Sequence, residues 1–291
     1  MTAPAAIDAF EAHRRHLMGL AYRMLGSLAE AEDVVQEAYL RWHGADRADV
    51  ENPRAFLSKI VTRLCLDQLK SARRRHETYV GPWLPEPVLD DGPLAAETAG
   101  EYAHDLSVAL LLVLERLSPL ERAAFLLHDV FDMEFAEIAQ ALGRGEAACR
   151  QLAARARQHV HEARPRFAAS SAEGARLAEA FRLAASSGDA AALARLLAKD
   201  ATLYTDGGGK RLAALNPIFG SDKIIRFLVG IAKKGDAAAW HFRSAEINGA
   251  PGFVLAAPDG TVQTVSFDIS AGRIAAVYMV LNPDKLQRVA F

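Results

Sequence analysis

Four cations recur on one side of residues 52–75. Lys59, Arg63, Lys70 and Arg74 are spaced by four, seven and four. At about 100° per residue that spacing places them on a common helical flank, opposite Leu57, Ile60, Val61 and Leu64. A one-sided row of cations suits a phosphate backbone, to which it gives affinity without sequence information. A second basic set, Arg144, Arg150, Arg155 and Arg157, lies in 144–158. There Gln151, Ala154, Arg155 and Gln158 face away from Cys149, Leu152, Ala153, Ala156 and Val160. Small residues with Gln and Arg suit a helix that enters a major groove, where Arg can pair two acceptors of guanine and Gln the edge of adenine. Spacing alone leaves a second reading open, a helical hairpin with a solvated basic face. A third set, Tyr204, Asp206, His241 and Asp268, holds an Asp and a His that could do general acid–base work if they come within hydrogen-bond reach.

The elements that position these residues announce themselves by their ends. Ser118-Pro119 with Glu121 is a capping-box start with proline in the first turn. A turn is expected near Asp132, then a helix from about Glu134 with Phe135, Ile138, Ala139 and Leu142 on its apolar face, stopped by Gly143. With the helix over 145–160 this is the punctuation of a helix-turn-helix. Residues 7–43 predict two helices, the second started by Ser27 and Glu30. Asn52 and Pro53 open a long helix to about Arg75.

Charge segregates along the chain. Residues 30–51 hold seven acids against Arg41 and Arg47, and 54–75 hold seven bases against Asp67. The acidic stretch is either a solvated face or a surface for a basic protein partner. From His76 to Glu115 there is no Lys or Arg, and prolines at 82, 85, 87 and 93 predict an extended acidic linker. Trp83 and Leu84 within it point to a docking segment. A further shift at 165–174 precedes a module of another kind: two helices (about 173–186 and 189–198), a strand near 201–205, a helix from 221 to 233 and four strands parted by Asn248-Gly249, Asp259-Gly260 and Ala271-Gly272. Thr264, Ser266 and Asp268 alternate with Val265, Phe267 and Ile269, which predicts one wet face.

Length allows two or three domains, and a 51% hydrophobic content supports real cores. No stretch is long and apolar enough for a membrane span, and the N-terminus does not read as a signal peptide. Cys65 and Cys149 predict no disulfide, no Cys/His group has metal-ligand spacing, and no cofactor is expected. A cytoplasmic setting fits these features.

An acidic helix, a basic helix, a variable linker and a helix-turn-helix resemble the layout of extracytoplasmic-function RNA polymerase sigma factors. Sigma region 2 is carried by AEDVVQEAYLRW (31–42) and NPRAFLSKIVTRLCLDQLKSARRR (52–75), and sigma region 4 by the helix-turn-helix. The tail resembles a SnoaL-like domain of the nuclear-transport-factor-2 superfamily. The family's subgroup with such a tail is marked by three motifs, which stand here as WLPEP (83–87), DGGGK (206–210) and NPDKL (282–286).

The resemblance implies a multidomain fold: region 2 at 5–76, a linker at 77–104, region 4 at 105–165 and an α+β SnoaL-like cone at 172–291. It implies no catalytic residues, and core-polymerase binding (β′ and β subunits) through Asp33, Gln36 and Glu37. Arg54, Lys59, Arg63, Lys70 and Arg74 would contact the −10 element, aided by the loop at 44–53. Arg144, Arg150, Gln151, Arg155 and Arg157 would contact the −35 element. Trp83, Leu84, Pro85, Asp206, Gly207, Gly208, Gly209, Lys210, Asn282, Pro283 and Asp284 would form a regulatory contact that replaces a separate anti-sigma factor. The alternative for the tail is a ligand sensor or a small-molecule isomerase or hydrolase, with a small ligand in the cone.

Overall fold

A computed structural model of the 291-residue chain describes residues 9–45, 50–76, 79–90, 106–163, 171–234 and 240–291. The chain forms two compact units. The first gathers 1–77 and 100–164, and the second gathers 78–99 and 165–291, so the chain enters each unit twice. No helix among the described residues is long and apolar enough to cross a membrane.

Among the described residues the first unit's regular structure is helical: α1 (Arg14–Leu25), α2 (Leu28–Gly44), α3 (Pro53–His76), α4 (Val108–Arg116), α5 (Pro119–Phe125), α6 (Phe135–Leu142) and α7 (Glu146–Ala163). Helix α1 ends at Gly26, whose φ of 70° suits a residue without a Cβ. The Ser27 hydroxyl accepts from the Glu30 amide to start α2, and the Asn52 side chain accepts from the Ala55 amide to start α3. Ser118 and Glu121 form the reciprocal capping box, with Pro119 in the first turn of α5. Gly143, at φ 62°, closes α6 in the left-handed conformation.

The sequence pattern did not foretell how α5 ends. It widens into one π-turn, Leu126–Val130, in which the Phe131 amide donates to Leu126 O, five residues back. Asp132, at φ 53°, then reverses the chain. Glu134 serves as the N-cap of α6, with Glu137 completing its capping box.

The second unit contains α8 (Ser171–Ser187), α9 (Ala190–Leu196), β1 (Leu197–Asp206), β2 (Ile218–Phe219), α10 (Ser221–Ala232), β3 (His241–Ile247), β4 (Ala250–Ala256), β5 (Val262–Ser270) and β6 (Arg273–Val280). The strands make a six-stranded sheet in the order β2-β1-β6-β5-β4-β3, antiparallel except for β1 beside β6. Asn248-Gly249 and Ala271-Gly272 turn their hairpins with positive φ at both residues, as expected for tight primed turns. The helices lie on one sheet face, through a core of Phe181, Leu193, Leu203, Ile224, Phe253, Val265, Phe267 and Val277.

Three expectations need correction. Helix α9 stops at Leu196 and β1 starts at Leu197, because Leu197 turns into the core and a bulge between Leu197 and Thr202 resets the register. β2 is a sixth strand of two residues, too short to show alternation. The face expected to be wet is covered: Thr264 and Ser266 are only 1% and 3% exposed.

Phe267 meets Phe181 edge-on at 5.0 Å between centroids and Phe253 at 5.6 Å. Phe267→Ala should cost about 3–5 kcal/mol, the usual range for an aromatic truncated in a core, read as a lower urea midpoint for the second unit.

Candidate functional site

On α2, Leu28, Ala31, Val34, Val35, Ala38 and Trp42 face the core, which turns Asp33 and Gln36 outward, both exposed. Glu37 pairs with Arg41 at 2.9 Å in a half-exposed i,i+4 bridge. Such a bridge is worth about 0.3–0.5 kcal/mol, too little to keep the carboxylate from another partner.

Two bases of α3, Arg54 and Arg63, donate to carbonyls of the helix-turn-helix half within the first unit. Arg54 Nη2 donates to Phe131 O at 3.1 Å. Arg63 donates through Nε to Ala141 O and through Nη2 to Gln140 O, each at 3.1 Å. These acceptors are terminal carbonyls of the π-turn and of α6, where a cation is favoured by unsatisfied C=O groups and by the helix dipole. The exposed Asn52 amide adds a bond to Glu137. Lys59 is half-buried, and Lys70 pairs with Asp67 in an exposed bridge. Arg74 lies in α3, but its side chain is outside the described residues, as are 46–49 of the expected −10 loop, 77–78 and 91–104 of the linker and 165–170.

Beneath this rim lies a buried centre. Arg122 is 4% exposed and donates to Met24 O at 2.6 Å, to Leu114 O at 2.8 Å and to Glu115 at 3.1 Å. Phe131 receives the His16 ring edge-on at 4.7 Å and the Arg23 guanidinium at 5.4 Å. Burial first, then the Arg54 charge, push the His16 imidazole down to about 3, and its Nε2 bonds the Ser58 hydroxyl.

In the helix-turn-helix, Gly143 to Ala148 and Gln151 are exposed. Arg144 donates to Gly143 O. Each of the other three arginines faces a carboxylate: Arg150 with Glu146 at 2.7 Å, Arg155 with Glu121 at 3.1 Å and Arg157 with Asp129. Arg150 also lies over the Phe135 ring. Glu121 and Asp129 were not foreseen as partners, since they belong to earlier turns and only the packing of α5 and the π-turn on α7 brings them near.

The three tail motifs converge within the second unit. Asp206 is fully buried at the end of β1. Its carboxylate accepts from Tyr79 OH at 2.6 Å, from the Leu84 amide at 2.9 Å and from Lys285 Nζ at 2.7 Å. Lys285 also donates to Leu84 O and lies 4.3 Å from the centre of the Trp83 ring. Asn282 caps the short turn opened by Pro283 and donates to Tyr79 OH. Gly208 has φ 58° and backs onto the Asn282 side chain, leaving no room for a Cβ, and Gly209 has φ 72°. Gly207 O accepts from the Lys210 and Arg211 amides to close the turn, and the Lys210 ammonium reaches both oxygens of Asp284.

Pro85 is buried, and the segment continues as a strap that pairs with the end of β3. Asn248 N donates to Val88 O, and Asp90 N donates to Glu246 O. Sequence reasoning missed Tyr79, which lies outside the motif, and the pivotal role of Lys285 inside one.

The suggested acid–base pair is not assembled. His241 on β3 lies opposite Ala256, which lies opposite Val262 on β5, six residues from Asp268. That is about 20 Å along the strand at ~3.3 Å per residue. Asp206 anchors the strap, and Tyr204 stacks on Tyr278 at 5.5 Å.

Residues 9–75 match the model of Sigma-70 region 2, and 107–160 match that of Sigma-70, region 4. The chain is 41% identical over 300 residues to the ECF RNA polymerase sigma factor SigJ of Mycobacterium tuberculosis, covering 96% of this chain and 92% of that protein. It is 37% identical to the probable ECF RNA polymerase sigma factor SigI of the same species, over 65% of this chain and 66% of that one. The crystal structure of Mycobacterium tuberculosis SigJ superposes with a TM-score of 0.79 at 38% identity, covering 97% and 98% of the two chains.

Two outcomes test this geometry. Asp206→Asn leaves the Lys285 ammonium, 13% exposed, without its buried carboxylate. Breaking such a pair should cost about 3–5 kcal/mol and, with Trp83 beside it, change the Trp fluorescence of the folded protein. For His16, the folded state holds the neutral ring while the unfolded chain protonates near pH 6.5. Stability of the first unit should therefore fall as pH drops below about 6.5, by up to ~1.4 kcal/mol per unit. His16→Gln should flatten that slope in urea melts.

Proposed function

The chain belongs to the extracytoplasmic-function RNA polymerase sigma factors, and on that premise we propose how its surfaces divide the work. A sigma factor binds core RNA polymerase and directs it to promoter elements. Asp33, Gln36 and Glu37 supply the carboxylate-rich, outward face of α2 for the β′ subunit, with β as a further contact. Arg54, Lys59, Arg63, Lys70 and Arg74 serve the −10 element, and Arg144, Arg150, Gln151, Arg155 and Arg157 serve the −35 element. Phosphate contacts fix register, and Gln151 with Arg150 or Arg155 reads base edges. The reaction takes place in the cytoplasm, where the polymerase is.

The tail is a built-in regulator, and the observation that carries this is the meeting of three distant segments at Asp206. The strap at 79–90 belongs to the only stretch of chain joining α3 to α4. Thirty residues lie between His76 and Ser107, enough for roughly 100 Å when fully extended at ~3.4 Å per residue. Holding twelve of them against the tail shortens the tether between the two DNA-reading modules. Regulation then consists of holding or releasing the strap, which works to the extent that the two states differ in their contacts. No dedicated anti-sigma factor is needed, and the tail has no catalytic task.

Run-off transcription with purified core polymerase tests the assignment. Reversing Asp33 and Glu37 to Arg should weaken polymerase capture at least about tenfold, or ~1.4 kcal/mol. Trp83→Ala and deletion of 168–291 should shift transcript yield in the same direction. Undiminished capture would remove the role of α2, and unaltered yield in both tail variants would remove the regulator.

A further inference from the structure

Helix α7 offers two kinds of side chain to a DNA groove, and the structure keeps them apart. At about 100° per residue, Ala147, Gln151, Ala154 and Gln158 fall within about 60° of one another, and all four are exposed. Arg150 and Arg157 lie about 70–90° to one side of that stripe, and Arg155 about 70° to the other. We propose that Gln151 is the one residue of α7 that reads a base edge by hydrogen bonds, that of adenine. The methyl groups of neighbouring thymines pack on Ala147 and Ala154, and the three arginines grip phosphates on both banks of the groove. The inference rests on the reading of α7 as the −35 helix, and it narrows the base contacts to a single side chain.

The partners of the arginines carry this. Arg155 pairs with Glu121 of α5 at 3.1 Å, and Arg157 pairs with Asp129 of the π-turn. Both carboxylates stand on elements that pack against α7, which draws these guanidinium groups to its flanks. Arg150 pairs with Glu146 at 2.7 Å and lies 5.2 Å from the centre of the Phe135 ring, which lies 4.1 Å from the His128 ring. To pair the two acceptors of guanine, an arginine must leave these partners and cross to the stripe. A phosphate needs no such move, because it lies beside the flank. Exposed bridges of this kind are weak, and phosphate oxygens replace the carboxylates where the guanidinium groups already stand.

Gln151 is placed differently. It stands in the second turn of α7, exposed and with no hydrogen-bond partner among the described residues. Its amide donates and accepts at once, as the N6 and N7 edge of adenine requires. Alanine on either side lets the base pairs approach, and an alanine methyl suits the thymine methyl. Gln158 follows seven residues later, about 10 Å along the axis, past the N-terminal part of a recognition helix that meets base edges.

The test uses the full-length chain bound to purified core polymerase, with a random-sequence duplex library as the probe. The upstream half of the enriched element should hold one strongly preferred adenine. Gln151→Ala should lose that preference, by about tenfold or more, and keep the rest of the element. Gln151→Arg should move the preference at the same position from adenine to guanine. Arg150→Gln and Arg155→Gln should each weaken binding to all sequences alike. Each should lower the slope of log affinity against log salt by about 0.9, with the enriched element unchanged.

An enriched element without that adenine would overturn the inference. So would an unshifted preference in both Gln151 variants, or an arginine variant that changes which base is selected. The pattern of failure is informative. If no α7 substitution alters binding while polymerase capture is intact, the reading of α7 as the −35 helix falls, and this inference with it. If the arginine variants weaken binding but neither Gln151 variant shifts the preference, this assignment alone is refuted.

Discussion

A charge taken out of water must meet its counter-group, and each unit of this protein is organised around one such charge. In the first it is Arg122, 4% exposed, which meets two backbone carbonyls and Glu115. In the second it is Asp206, fully buried, which meets a phenol, an amide and an ammonium. Neither charge adds much stability over an apolar substitute, because desolvation offsets most of the attraction. What each does is fix geometry. Arg122 needs Met24 and Leu114 at set positions, and Asp206 accepts only a chain that brings Tyr79, Leu84 and Lys285 together.

The remaining polar features follow a related logic. Helix ends leave carbonyls without partners, and the arginines of α3 supply donors to two such ends. The edge strand β3 leaves backbone groups unpaired, and the strap covers them near Ile247. Groups that could bind something else are thereby held by the protein itself. The arginines of α7 illustrate this on the surface, where Glu146, Glu121 and Asp129 moderate their charge.

Most of the scaffold was legible in the sequence, because its signals are local. Ser118-Pro119-x-Glu121, Gly143, Asn52 and the Asn248-Gly249 turn each act within a few residues, and all stand where the pattern put them. The three tail motifs were legible as motifs, but their common centre was not. Lys285 and Tyr79 meet Asp206 across separations of 79 and 127 residues, and no periodicity encodes that. The cations of α3 were read as a phosphate-tracking face, and the bonds of Arg54 and Arg63 to carbonyls of the helix-turn-helix were not legible, because helical spacing tells which side a residue is on, not what packs there. The polar face of β5 misled for the same reason: alternation marks two faces, and only tertiary structure decides whether water reaches the second.

The second unit is discontinuous, with 78–99 belonging to a domain completed only by 165–291. During synthesis the strap is made about 200 residues before Lys285. At typical elongation rates that is a delay of roughly 10–40 s. Through that interval Leu84, Val88 and Leu89, all buried in the finished protein, have no sheet to lie on. A nascent chain, or one cut short before Lys285, therefore carries an untethered linker, and restraint arrives only once Lys285 has been made.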